Sequence, residues 1–160
     1  MRNIMFVCTG NTCRSSMAEG MLKNSIQNNS ELRDEYTVTS SGVHAFDGDP
    51  ASMNSISVLA QRYGIDISKH KSKMLNKKSV DEAFLILTMT RAHKDAVLAC
   101  FPESNGKIFT LKEYVSDEAL EKGYGMDIVD PYGGNIKEYE KCAEEIAAAI
   151  AKLELKLGSS

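Results

Sequence analysis

Positions 4–7 are apolar without interruption and Thr9-Gly10-Asn11 closes the run with turn chemistry, the pattern of a strand buried on both faces. Helical spacing follows at once. Met17, Ala18, Met21, Leu22 and Ile26 fall on one face, Ser15 or Ser16 is placed to cap the helix, and Glu19 suits its early turns. A polar connection over 27–34 leads to Tyr36-Thr37-Val38-Thr39-Ser40, whose alternation and β-branching predict a short strand. Asp49-Pro50 opens a helix that runs to about Tyr63 and stops at Gly64. An irregular stretch over 65–74 and a capping box or single helical turn at 79–82 precede residues 83–89, the most apolar run and so the central strand. Thr90 caps a helix to about Cys100, 107–110 forms a fourth short strand, and 111–122 forms one or two helical pieces. After a loop over 123–134, Asn135 caps a final amphipathic helix whose inner stripe is Tyr139, Cys142, Ile146, Ile150 and Leu153.

Strands alternating with helices predict an α/β protein: a three-layer, open four-stranded parallel sheet with helices on both faces, doubly wound and flavodoxin-like. Residues 1–157 form one domain and 158–160 a flexible tail. In such folds ligands sit at the carboxyl ends of the strands, beside the switch in strand order, so the loop after the first strand is the place for a site.

Composition narrows the function. A chain of 160 residues with 42% hydrophobic positions needs no disulfide or metal staple, so Cys8, Cys13, Cys100 and Cys142 are not read as a disulfide framework. The formal net charge of −3 gives no basic field for nucleic acid or anionic lipid. The opening apolar run is too short for a signal peptide, and no run approaches the ~18 apolar residues of a membrane span. A monomeric protein of the reducing cytoplasm is expected, with no nucleic acid or membrane partner, no cofactor and no metal. His44, His70 and His93 show no ligand spacing with the cysteines.

The first loop reads Cys8-Thr9-Gly10-Asn11-Thr12-Cys13-Arg14-Ser15. Every position in it has a task if the ligand is a phosphoryl group. Gly10 and Asn11 tolerate left-handed backbone, which turns successive N–H groups inward as an anion nest, and the following helix adds its positive end. Arg14 offers a planar charged fork for two phosphoryl oxygens. Cys8 in that field is the predicted nucleophile, forming a cysteinyl-phosphate that a second step hydrolyses, and Ser15 can donate its hydroxyl to the sulfur. The departing group needs an acid. Asp130, fixed by Pro131 and beside Tyr132, which can wall the pocket, is the best candidate; Asp127 is the runner-up and reads better as solvated or capping.

The loop 8–15 and the late Asp130-Pro131-Tyr132 resemble the low-molecular-weight protein tyrosine phosphatases over nearly the whole chain. The resemblance implies Cys8 as nucleophile, Arg14 as phosphate and transition-state ligand, and Asp130 as acid and then base, with a phosphorylated protein side chain as substrate and inorganic phosphate as product. It also implies a supporting network of Asn11, Ser15, Ser40 and His70, and a reversible disulfide between Cys8 and Cys13. Ser16 departs from the family's usual proline, with altered loop rigidity as the expected consequence. The loop with Thr12, the segment 110–114 and Asp-Pro-Tyr-Gly-Gly are similar to the bacterial protein arginine phosphatase branch. Thr12, smaller and more polar than the apolar residue common in tyrosine-directed relatives, favours a slender phosphoguanidinium over a phenyl phosphate.

Two other readings compete. Arsenate reduction uses a similar loop but needs further cysteines at short spacing, and Cys100 and Cys142 have none; both are read as packing. A non-catalytic phosphate-binding or redox-sensing module would lack the acid that Asp130 supplies. Lys69, Lys71, Lys73, Lys77 and Lys78 are read as a solvated basic face, with some attraction for acidic phosphoproteins.

Overall fold

The β-branched and apolar runs at the predicted strands pair into a single sheet. In the computed structural model, which describes residues 1–116 and 125–159, β1 (Arg2–Cys8), β2 (Tyr36–Gly42), β3 (Ala83–Thr88) and β4 (Ile108–Thr110) are all parallel, in the order β2-β1-β3-β4. Residues of β1 alternate between two cores. Ile4 and Phe6, with Leu85 and Leu87 of β3, pack under α1 (Arg14–Gln27) and α7 (Ile136–Gly158); Met5 and Val7, with Ile86 and Ile108, pack under α4 (Lys77–Glu82) and α5 (Arg91–Cys100). Each fully buried side chain of this size contributes about 1.5–3 kcal/mol, and Ile4, Phe6, Val7, Ile86 and Leu87 have no measurable exposure. The α/β architecture with helices on both faces is therefore as expected.

Helix ends differ in instructive ways. α3 (Met53–Tyr63) starts later than Asp49-Pro50 suggests, because Ser52 is the cap: its hydroxyl accepts from the Ser55 N–H, while its own N–H donates to the Thr12 carbonyl. The connection over 27–34 contains α2 (Ser30–Arg33), capped by Asn29 and anchored by the buried Leu32. α4 is capped by Asn76 in a reciprocal box with Ser79, three residues upstream of the predicted start. A single 3₁₀ turn over Pro102–Ser104 follows α5, and α6 (Leu111–Val115) opens on a box between Thr110 and Glu113. The remainder of the predicted 111–122 pieces falls largely outside the described residues. α7 continues through Gly158, into the expected tail, and buries its whole predicted stripe. Cys142 lies in that stripe, where burial pushes its thiol up to about 12; Cys100, expected in packing, is exposed.

The sheet order places a switch point at β1. Its connection to β2 leaves on one side, while β3 pairs on the other, so a crevice opens beyond the carboxyl end of β1, at Cys8.

Candidate active site

Cys8 is the last residue of β1 and Arg14 the first of α1, so residues 9–13 make the whole turn. The carbonyls of this turn face its neighbours. Cys8 O accepts from Val43 N at 3.0 Å, Thr9 O from His44 N at 2.9 Å, Thr12 O from Ser52 N at 2.9 Å, and Cys13 O from Met17 N at 3.0 Å. Asn11 O accepts twice, from His70 Nε2 at 2.7 Å and Ser72 Oγ at 3.0 Å. By contrast, no N–H of residues 9–13 donates to another protein group among the described residues. With the acceptors turned outward, donors are left to line the inside, the arrangement of an anion nest.

The left-handed geometry is concentrated at one position. Asn11 has φ 60° and is the one non-glycine with positive φ among the described residues, whereas Gly10, expected to share that role, has no positive φ. Asparagine reaches this region more readily than most residues, and its side chain is fully used here. Asn11 Nδ2 donates to Ser15 Oγ and Ser40 Oγ, each at 2.8 Å, and Asn11 Oδ1 accepts from Lys73 N at 3.0 Å. Ser15 Oγ, already receiving an Asn11 hydrogen, lies 2.9 Å from Cys8 Sγ, within hydrogen-bond reach of the sulfur. The Ser40 hydroxyl donates to Glu19, which also pairs with Lys23 and stands 3.8 Å from His70 Nδ1. Gly42, at the end of β2, holds the turn from behind: a Cβ there would lie 2.4 Å from the Thr9 carbonyl oxygen.

The helix cap is not the predicted serine. Cys13 occupies the N-cap position of α1 without a side-chain cap bond, because Ser15 is spent on Cys8 and Asn11, and the buried Ser16 hydroxyl donates to Cys13 O at 2.8 Å. Ser16 thus ties the first turn to itself where a proline would have fixed it by its ring. The uncapped positive end of α1 faces the loop.

Arg14 is buried, with its side chain 5% exposed. Its Nη1 donates to Ile128 O at 2.9 Å, Nη2 lies 3.4 Å from Asp130 Oδ2, and Nε is buried with no hydrogen-bond partner among the described residues. The structure therefore brings the late loop to the early one. Asp130 itself is half exposed, and its other oxygen accepts from Tyr132 N at 3.0 Å; the Tyr132 side chain is exposed. Asp127 accepts from Arg91 N, the first residue of α5, at 2.8 Å, beside the Thr90 cap.

Several contributors were invisible in the pattern. His93, buried on α5, meets Thr9 Oγ1 through Nε2 at 2.9 Å, while its Nδ1 is buried without a partner among the described residues. Burial foremost, with Arg14 nearby, pulls the His93 pKa down to about 4, so its ring is neutral. Tyr139, expected only in the helix stripe, also sets its hydroxyl 3.4 Å from Cys13 Sγ, and burial with this contact raises it to about 12. Cys13 further meets Ser52 Oγ at 3.6 Å and Thr12 Oγ1 at 3.7 Å, so the sulfurs of Cys8 and Cys13 have different partners. Thr12 is partly exposed at the rim.

A thiol, a buried guanidinium and a turn whose main-chain N–H groups have no protein acceptor among the described residues stand together at the carboxyl edge of a parallel sheet, the setting of an oxyanion-binding thiol enzyme. Residues 3–160 match the model of the low molecular weight phosphotyrosine protein phosphatases. The chain is 41% identical to the protein-arginine-phosphatase of Geobacillus stearothermophilus over 96% of this chain and 95% of that one. It is 36% identical to the protein-arginine-phosphatase of Bacillus subtilis, over 94% and 93%. The solved arginine phosphatase from Geobacillus stearothermophilus superposes with a TM-score of 0.87 at 40% identity, covering 99% of this chain and 94% of that one. A low molecular weight protein tyrosine phosphatase from T. tengcongensis is also similar, at TM-score 0.84 and 41% identity over 98% and 99%. The chain belongs to the low molecular weight phosphotyrosine protein phosphatase family. It is a cysteine-dependent protein phosphatase. No helix among the described residues is long and apolar enough to cross a membrane.

Proposed function

We propose that the protein removes phosphoryl groups from phosphoarginine side chains through a phosphate ester on Cys8. The observation that carries this reading is the loop itself: among the described residues, five of its carbonyls are bonded to neighbours, the N–H groups of residues 9–13 have no protein acceptor, the Ser15 hydroxyl is beside the Cys8 sulfur and the buried Arg14 Nε has no partner. An unsatisfied buried N–H costs about 1–3 kcal/mol, a cost that a phosphoryl oxygen removes. In the first step the Cys8 thiolate attacks phosphorus, an S–P bond forms as the N–P bond breaks, and Asp130 gives its proton to the departing guanidine nitrogen. In the second, water attacks the phosphocysteine, Asp130 takes the water proton, and the S–P bond breaks to return the thiolate and release inorganic phosphate. Arg14 and the loop amides follow the charge through both transition states. The inner network of Asn11, Ser15, Ser40 and His70 holds the loop in this shape before substrate arrives.

Thr12 supports the choice of phosphoarginine. A small polar rim suits a slender hydrogen-bonding guanidinium, and leaves a phenyl ring poorly packed. One chain supplies the loop and the acid, so a monomer carries a complete site, and free thiols suit a reducing cytoplasm.

The test compares phosphoarginine and phosphotyrosine in the same peptide sequence, with wild type and Cys8→Ser. A higher kcat/KM for phosphoarginine and loss of both activities in the variant are expected. Preference for phosphotyrosine would move the protein to the tyrosine-directed branch, and full activity in Cys8→Ser would end the covalent mechanism.

A further inference from the structure

Behind the active-site loop, between α1 and the segment 64–73, lies a cavity of about 650 Å³ whose lining includes none of residues 8–15. Its walls carry Lys23, Lys69, Lys71 and Lys73 against only Glu19 and Asp66. Lys23 is committed to Glu19, but Lys69, Lys71 and Lys73 have no carboxylate within ion-pair distance among the described residues. The other two lysines of the run, Lys77 and Lys78, are paired with Asp81, Glu103 and Glu82. The sequence-based reading of all five as one solvated face thus divides into a neutralised pair on α4 and a trio around a cavity that forms no ion pair among the described residues.

His70 and Ser72 bond the Asn11 carbonyl, and His70 also lines the cavity together with Lys69, Lys71 and Lys73. From the other wall, Glu19 accepts from Ser40, Ser40 from Asn11, and the same Asn11 amide group donates to Ser15, which touches the Cys8 sulfur. One cavity therefore touches both sets of contacts that hold Asn11 in its left-handed conformation.

We propose that this cavity is a second anion site, binding a small molecule with at least two phosphate or phosphonate groups, and that its occupation changes the affinity of the catalytic loop for its own oxyanion. The size exceeds one phosphate, and three unpaired ammonium groups ask for more than one charge. A ligand that draws Lys71 and Lys73 inward, or takes Lys23 from Glu19, shifts the residues bonded to Asn11. Coupling of this kind is reciprocal: the loop's oxyanion must change the cavity's affinity by the same factor. The proposal rests on the phosphatase reading for its consequence, but not for the binding itself.

The test uses methylenediphosphonate, whose P–C–P bridge offers no hydrolysable bond, added to ¹⁵N-labelled wild type with the loop saturated by inorganic phosphate. Amide shifts at Gly20, Lys23, Gly64 and Lys71 are expected. Lys69→Gln/Lys71→Gln should weaken this binding about tenfold. Lys77→Gln/Lys78→Gln, with the same change in net charge, should leave it unchanged. Shifts confined to residues 8–15, or equal weakening in both variants, would overturn the site. The second arm titrates orthovanadate against wild type with and without saturating methylenediphosphonate, where about a fivefold change in vanadate affinity is expected. That change should disappear in Lys69→Gln/Lys71→Gln. No change in wild type would overturn the coupling. Absence of phosphoarginine turnover, by contrast, would bear on the proposed reaction and leave these binding results standing.

Discussion

The two loops that meet at Arg14 are built in opposite ways. Residues 8–15 form a turn around a buried inner network, in which Asn11 and Ser15 have no exposed surface and every side-chain donor of Asn11 is used. The late loop exposes Val129, Tyr132 and half of Asp130, and is tied down by Ile128 N to Met89 O at 2.9 Å, Arg91 N to Asp127 at 2.8 Å, and Arg14 to Ile128 O and Asp130. Stabilising a transferring phosphoryl group needs donors already in place, whereas a proton donor needs access to leaving groups of different shape. The early loop should therefore couple stability to activity, and the late loop should affect activity alone.

Asp130→Asn offers the largest separation. It removes an exposed carboxyl, so kcat should fall about 10²–10³-fold while the melting temperature moves by no more than about 2 °C. The loss should shrink with 4-nitrophenyl phosphate, whose leaving group needs little protonation. Equal losses on both substrates would remove Asp130 from the acid role.

Asn11→Ala should do the reverse. It deletes two buried donors and an acceptor and puts alanine at φ 60°, so unfolding should become easier by about 2–4 kcal/mol, read by chemical denaturation, with activity falling as well. An unchanged stability would mean that the turn is not held by this network.

His93 sharpens the contrast through pH. Its folded pKa, about 4, lies below the ordinary 6.5, so the unfolded chain takes up the proton first as pH falls. The stabilisation is present above about pH 6.5 and is lost as pH drops through about 4, on the order of 3 kcal/mol. His93→Gln should flatten the stability profile in that window. An unaltered slope would show that the ring is not held neutral.

Thr12→Ile is the smallest change, at the rim and outside the inner network. The ratio of kcat/KM for phosphoarginine over phosphotyrosine peptides should fall about five- to tenfold, with stability unchanged. A ratio that stays fixed would remove Thr12 from selection.

Most of the architecture was legible because strands and helices announce themselves by period. The run at 4–7 falls within β1, the run at 83–89 covers all of β3 and one residue beyond it, and the stripe from Tyr139 to Leu153 faces the core. Local chemistry was misread where a side chain had a better partner at long range. Ser15 is a good cap in isolation, but Cys8 and Asn11 claim it; Gly10 is a natural left-handed residue, but Asn11 gains bonds to Ser40 and Lys73 by taking that conformation. Glu19, Ser72 and His93 reach the site from residues that only the sheet order brings near. Glu19 looked like a dipole-matched surface acid, and nothing in its spacing announces a bond to Ser40.

The central claim is that the buried turn holds a sulfur that takes the phosphoryl group. Its most direct test is denaturing quench of Asp130→Ala during turnover of 4-nitrophenyl phosphate, followed by mass mapping of the phosphate adduct. The first step with this substrate needs no acid, while hydrolysis of the intermediate lacks its base, so the adduct should accumulate on Cys8. An adduct on Cys13 or Ser15, or release of nitrophenol with no covalent phosphate at any time, would contradict the account.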